Sequence, residues 1–270
     1  MVTVAPPAPS SVEPRSKPHR VPFTLLAAWS KPGLCSSPSG ATAARDTITA
    51  KFRVLEPEEG GRLYVDPRLP ECAEQPILAD IRQAEAETAQ RLALRPARPL
   101  VYVYADQELM KAAACINENA VAFYDGALHV VANRTDVLQS VLHEYTHHAL
   151  FSSGFITPAW AQEGIAMSIA REGWWREQRY LQALVASPFS LEQMDRTIPY
   201  KLPSDQAVAF YVQSAVLVEC LLQARRWTPA ELLAALRAGA TADALSYDLP
   251  ELERSGFVVD CLQAGGREGL

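Results

Sequence analysis

The segment His143-Glu144-Tyr145-Thr146-His147-His148, followed by Pro158-Ala159-Trp160-Ala161-Gln162-Glu163-Gly164-Ile165-Ala166, decides how this chain is read. It lies between Thr135, a residue type that caps helices, and Gly154, one that ends them, so 136–151 is expected to be helical. Residues four apart on a helix share a face, which stacks the His143 and His147 imidazoles one turn apart. Two neutral imidazoles leave a divalent ion short of ligands and uncompensated in charge. Glu163, sixteen residues after His147, falls on the next expected helix, 158–172. An antiparallel helix pair turning near Gly154 brings its carboxylate opposite the histidines. His143, His147 and Glu163 are therefore the candidate ligands of one metal ion per chain. Two imidazoles and a carboxylate with an open fourth position form a donor set suited to a catalytic Zn²⁺. Glu144 is offset by one residue and points beside such an ion, placed to take a proton from a water there. His148 is turned away by one residue and is expected to be a polar neighbour.

A His-x-x-x-His pair on an amphipathic helix is often a surface pair with no ligand. Here the chain has only five histidines, and three of them fall at positions 143, 147 and 148. The intervening Glu144 and the downstream Glu163 complete the donor set, which favours the metal reading.

Working outward, Ile48, Ala50, Phe52 and Val54 alternate with polar or small neighbours, so ordered structure is expected to begin near Thr47 as a half-buried strand. Gly60-Gly61 marks a turn, after which Arg62 to Val65 pairs back. Pro76 opens a helix whose apolar positions Ile77, Ile81, Ala84, Thr88 and Leu92 recur at helical spacing. Leu100 to Tyr104 reads as a buried strand, followed by a short helix near Asp106 to Cys115. The Asp125-Gly126 pair between Ala120–Tyr124 and Ala127–Val131 signals a hairpin. Further helices are expected near 174–186, 204–224 and 229–239. Thr157-Pro158 is read as a cap followed by Pro at the first helical position, and Thr228-Pro229-Ala230-Glu231 as a capping box. The expected fold class is α+β: a small sheet-and-helix lobe, 46–133, then a helical lobe, 134–262, carrying the metal site. Residues 1–45, rich in Pro, Ser and Ala, are expected to be disordered or a leader, and 263–270 a tail.

A net charge of −6 argues against a general nucleic-acid binder, which needs Lys and Arg to neutralise phosphates. No stretch is read as approaching the roughly 20 apolar residues that cross a bilayer, so no integral membrane span is expected. Arg15, Lys17, His19 and Arg20 precede the apolar run Val21 to Trp29, but Pro22 interrupts it and Lys31-Pro32 follow at once. Export or a cytoplasmic place is left open. The five cysteines, Cys35, Cys72, Cys115, Cys220 and Cys261, show no C-x-x-C spacing. Cys220, in an apolar helical run, reads as a small buried hydrophobe; one bridge among the other four is left open. Oligomeric state is not legible.

The two quoted segments resemble the gluzincin zinc metallopeptidases, and specifically the peptidase MA-like families. The Pro-x-Trp-x-x-Glu-Gly-x-Ala segment is the more specific part, because it fixes the third ligand and its helix start together. The resemblance covers roughly 46–262, with its motifs concentrated between 143 and 166. It implies a zincin-like fold and a zinc-dependent hydrolase acting on a peptide or protein, with Glu144 as general base. It also implies an extended substrate held by the edge strand before the active helix, assigned here to Ala127–Ala132. Tyr211, in a looser match at Tyr211-Val212-Gln213-Ser214, is the candidate donor to the oxyanion, against the bland reading of a core aromatic beside Phe210. One departure stands out. Members commonly carry an acidic residue four positions after the third ligand, and here that position is Met167; Asp136 and Glu172 are the alternatives in sequence.

Two rival readings accompany the peptidase. One is a binding module on the same scaffold whose zinc is structural or vestigial, which Met167 keeps open. The other is a zinc hydrolase acting on a modified peptide or small amide. Trp174-Trp175 reads as core or cleft wall, and Arg225-Arg226 as favourable charge at a helix end.

Overall fold

The computed structural model describes residues 38–57, 60–114, 121–132, 137–155, 158–186 and 189–246. The expected leader up to residue 37, the tail 263–270, Asp136 and the capping roles of Thr135 and Thr157 lie outside them. The described chain is α+β, with a five-stranded mixed sheet and ten α-helices.

The strands are β1 (Arg53–Leu55), β2 (Arg62–Val65), β3 (Leu100–Tyr104), β4 (Ala122–Tyr124) and β5 (Ala127–Val131), in the order β1-β2-β3-β5-β4. The central three run parallel, and β1 and β4 are antiparallel edges. Period-2 alternation sorts the side chains. Leu63, Val65, Val101, Val103, Leu128 and Val130 face α2 (Glu74–Leu92) and α4 (Val137–Ser152). Tyr102, Tyr104, Ala127 and Val131 face the other way, toward α3 (Gln107–Ala114), with Ile48 of α1 (Pro38–Thr49) packed on that cluster. On this second face, strand register aligns Val54, Tyr64, Tyr102, His129 and Phe123 in one row across all five strands. Tyr64 and Tyr102 stack at 4.8 Å, and Tyr102 and His129 at 5.1 Å.

His129 is fully buried, so both ring nitrogens need partners. Nδ1 lies 2.8 Å from the Tyr104 hydroxyl and Nε2 3.2 Å from Asp125 Oδ1. Asp125 also accepts from the Ala127 amide and pairs with Arg45 of α1. The hairpin turn thereby ties α1 to the sheet. Gly126, at φ +105°, supplies the turn conformation that a side chain disfavours.

The second half adds α5 (Ala159–Ala170), α6 (Gln178–Ala186), α7 (Leu191–Arg196), α8 (Ser204–Arg225), α9 (Pro229–Arg237) and α10 (Ala242–Ser246). The Thr228–Glu231 capping box is present at the start of α9. α5 lies between α4 and α8. Its approach to α8 is so close that a Cβ on Gly164 would sit 2.4 Å from the Ser214 carbonyl oxygen. Trp160, fully buried at the other end of α5, donates its indole N–H to Asp195 of α7 at 2.9 Å. One hydrophobic cluster runs from Leu63 in β2 to Leu245 in α10, across the boundary drawn at 133/134.

Several expectations change. The strand expected from Ile48 is instead the end of α1, where Thr49 Oγ1 bonds the Arg45 carbonyl. The alternation from Ile48 to Val54 runs through a helix end, a turn closed by Phe52 N to Thr49 O, and only then a strand. Order therefore begins before Thr47. β5 is not the edge: it pairs with β3 on one side and β4 on the other, so among the described residues the outer strand next to α4 is β4. Pro158 is the N-cap of α5, not its first helical residue. Residues 174–176 form a separate 3-10 turn before α6, and α7 and α10 were not expected. Cys220 is buried as expected, yet it is disulfide-bonded; its partner lies outside the described residues, among which Cys72 is free. Contrary to the hydropathy reading, Asp205–Arg225 is long and apolar enough to cross a membrane. In the fold this helix is a central core element, apolar around its circumference because α5 and α6 cover it.

Candidate metal centre

α4 presents His143 and His147 one turn apart, and α5 presents Glu163 across from them. His143 Nε2 and His147 Nε2 are 3.1 Å apart, and Glu163 Oε2 lies 3.4 Å and 3.5 Å from them. The circumradius of that triangle is about 1.9 Å, so a point just off its plane is about 2.0–2.1 Å from all three atoms, the distance zinc takes from nitrogen and oxygen. The edges also match the roughly 3.3 Å ligand separation of a tetrahedron with such bonds. Three corners are thus supplied by the chain. Among the described residues the cluster has these three members.

Burial and charge act together on the centre. Burial alone would lower the His143 pKa, but the Glu172 and Glu163 carboxylates beside it hold it well above the usual histidine value. Burial pushes the Glu163 carboxyl up, and the facing imidazoles outweigh it, bringing it down to about 2. Glu144 goes the other way: burial raises it, and neighbouring Glu163 and Glu172 add to the rise, against the pull of the histidines. A carboxylate with raised proton affinity, half-buried next to the candidate ligands, is chemically suited to accept a proton.

Glu172 is where sequence and structure meet least directly. Its Oε1 lies 2.6 Å from His143 Nδ1, and its Oε2 accepts the Trp174 indole N–H at 2.7 Å. Sequence named Glu172 as an alternative to an acid at 167 without being able to place it. Met167 itself is buried in the core. Trp174, read from sequence only as core or cleft wall, is a hydrogen-bond donor to this carboxylate. Gln139 and Arg91, which grip the end of α5, carried no sequence signal. Gln139 donates to the Ala170 and Arg171 carbonyls, and Arg91 to those of Ser168 and Ile169.

The remaining candidates fall outside the triad. His148 bonds the Tyr124 hydroxyl at 3.1 Å and the Ala97 carbonyl at 2.7 Å, as befits a polar neighbour. Tyr211 is half-buried on α8, its ring edge-on to Phe210 and packed against the core. Arg225 donates to the Leu245 carbonyl, a structural role. No family model, curated protein or solved structure matches this chain.

Proposed function

We propose that the protein is a zinc-dependent hydrolase of zincin-like fold and gluzincin type that cleaves an amide bond in a peptide or protein. The observation that carries this reading is the convergence of His143, His147 and Glu163 on one tetrahedral face. The donor set fits Zn²⁺, and one carboxylate offsets half of the ion's charge. When bound, zinc supplies Lewis acidity and brings the pKa of a water near neutrality.

The chain's own residues supply the rest. Glu144, flanking the ligand face, accepts the proton of the attacking water and passes it to the leaving amine. Among the described residues β4 is the outer strand of the sheet beside α4, where an extended substrate would pair as an added strand. Tyr211 is the candidate donor to the oxyanion.

The test is Glu144→Gln, which keeps shape and removes the base. The variant is expected to bind one zinc per chain as the parent does and to lose peptide hydrolysis by at least 10²-fold. A variant that hydrolyses peptides as fast as the parent refutes the role of Glu144. A parent that binds zinc but turns over no member of a broad peptide library favours the binding-module reading instead.

A further inference from the structure

A metal-ligating histidine works well only if its ring is held at the right angle and its second nitrogen is protonated; an acceptor on that second nitrogen does both. The two histidines here are treated unequally. Among the described residues His147 Nδ1 is buried without a hydrogen-bond partner, whereas His143 Nδ1 meets the Glu172 carboxylate at 2.6 Å. That carboxylate is fixed at both oxygens, because Trp174 donates to the other at 2.7 Å. His143 and Glu172 side chains are only 15% and 12% exposed, so the contact is largely shielded from water. An exposed ion pair of this kind would contribute little.

The backbone shows how Glu172 reaches that place. α5 ends with Arg171 in the left-handed region, φ 55°, and the Glu172 amide folds back onto the Met167 carbonyl at 3.0 Å. This reversal swings residue 172 from the end of the Glu163 helix toward α4. Gln139, one turn before His143 on α4, holds the same reversal through the Ala170 and Arg171 carbonyls. Arg91 of α2 holds the turn before it through the Ser168 and Ile169 carbonyls. The helix that delivers one ligand therefore also delivers, at its C-terminus, the group that orients another.

We infer that Glu172, braced by Trp174, is the positioning residue of the metal centre: it directs His143 Nε2 at the ion and fixes the Nδ1–H tautomer. The inference rests on the zinc reading above. It assigns to the reversal after α5 the work that an acid four residues beyond Glu163 would do, the position that Met167 occupies here.

Zinc affinity is the direct readout, measured by competition with a chromogenic chelator on the purified full-length chain. Glu172→Ala is expected to bind zinc about 10- to 100-fold more weakly than the parent. Trp174→Phe, which keeps a ring and loses the indole N–H, is expected to weaken binding in the same direction by a smaller factor. Glu172→Gln keeps the shape and an acceptor oxygen while losing the charge, so it is expected to fall between parent and Glu172→Ala. Co²⁺ loaded into the folded Glu172→Gln protein is expected to give ligand-field bands shifted from those of the Co²⁺ parent, which a purely structural role for Glu172 would not produce. If the parent binds zinc and both Glu172 variants bind it within twofold of the parent, the inference is overturned and the triad stands. If the parent binds no zinc, the triad reading and this inference fall together.

Discussion

His143 engages both ring nitrogens: Nε2 stands in the candidate ligand triangle with His147 and Glu163, and Nδ1 meets Glu172. The first use was legible in sequence, because four-residue spacing on a helix fixes a shared face whatever the tertiary fold. The second was not, because Glu172 reaches His143 through a left-handed residue and a backbone reversal that no periodicity encodes. His129 makes the complementary point. It is also a buried, fully partnered histidine, yet it sits between Tyr104 and Asp125 on the far face of the sheet, and among the described residues it belongs to no cluster of metal-ligating groups. Burial favours a protonated Asp125, but His129, Arg45 and the Ala127 amide outweigh it and hold its pKa below the usual carboxylate value. A carboxyl whose folded pKa is depressed stabilises the fold above its unfolded pKa, about 3.9, and loses that contribution as pH falls through the folded value. Asp125→Asn is therefore expected to cost about 3–5 kcal/mol at pH 7, since it strands buried partners. Urea unfolding from pH 7 to 3 should show the gap between parent and variant closing below about pH 4. A gap that stays constant over that range would show that the Asp125 charge does not carry the contribution.

At the scale of elements, the decisive contact is α5 against α8. The sequence signalled Gly164 as part of a motif, and the structure supplies the reason: the Ser214 carbonyl and the Val218 side chain leave no room for a Cβ. That approach sets how far Glu163, one residue earlier, stands from α4. Gly164→Ala is expected to push the helices apart and destabilise the fold by about 1–3 kcal/mol, with weaker zinc binding as a second effect. Gly173→Ala is the control, because a Cβ there meets nothing within 4 Å and no positive φ is involved; it should change stability by less than about 0.5 kcal/mol. Equal unfolding midpoints for the two variants would show that the α5–α8 approach is not tightly constrained. Elements whose signals are local were legible: α2 from its apolar spacing, the hairpin from Asp125-Gly126, and α9 from its capping box. What failed was pairing. The family resemblance puts the edge strand at β5, but the excursion through α3 and β4 inserts it between β3 and β4. Such an insertion depends on contacts distant in sequence.

Across the whole molecule, the α+β class followed from alternation in the first half and helical periodicity in the second. A division into lobes followed less well, because one hydrophobic cluster joins the sheet to the last described helix. That continuity has a consequence for the centre. α4 packs on the sheet and on α2, and α5 packs on α8, so the three candidate ligands are held by a common core and not by loops. Ligands on rigid elements are held near coordination geometry in advance, which is what the triangle of 3.1, 3.4 and 3.5 Å reflects. X-ray absorption at the zinc edge, on the purified chain equilibrated with zinc and freed of excess, tests this centre most directly. One zinc per chain is expected, surrounded by two imidazoles and further light atoms at about 2.0–2.2 Å. A chain that retains no zinc, or a zinc with sulfur at about 2.3 Å, would contradict a centre built from His143, His147 and Glu163.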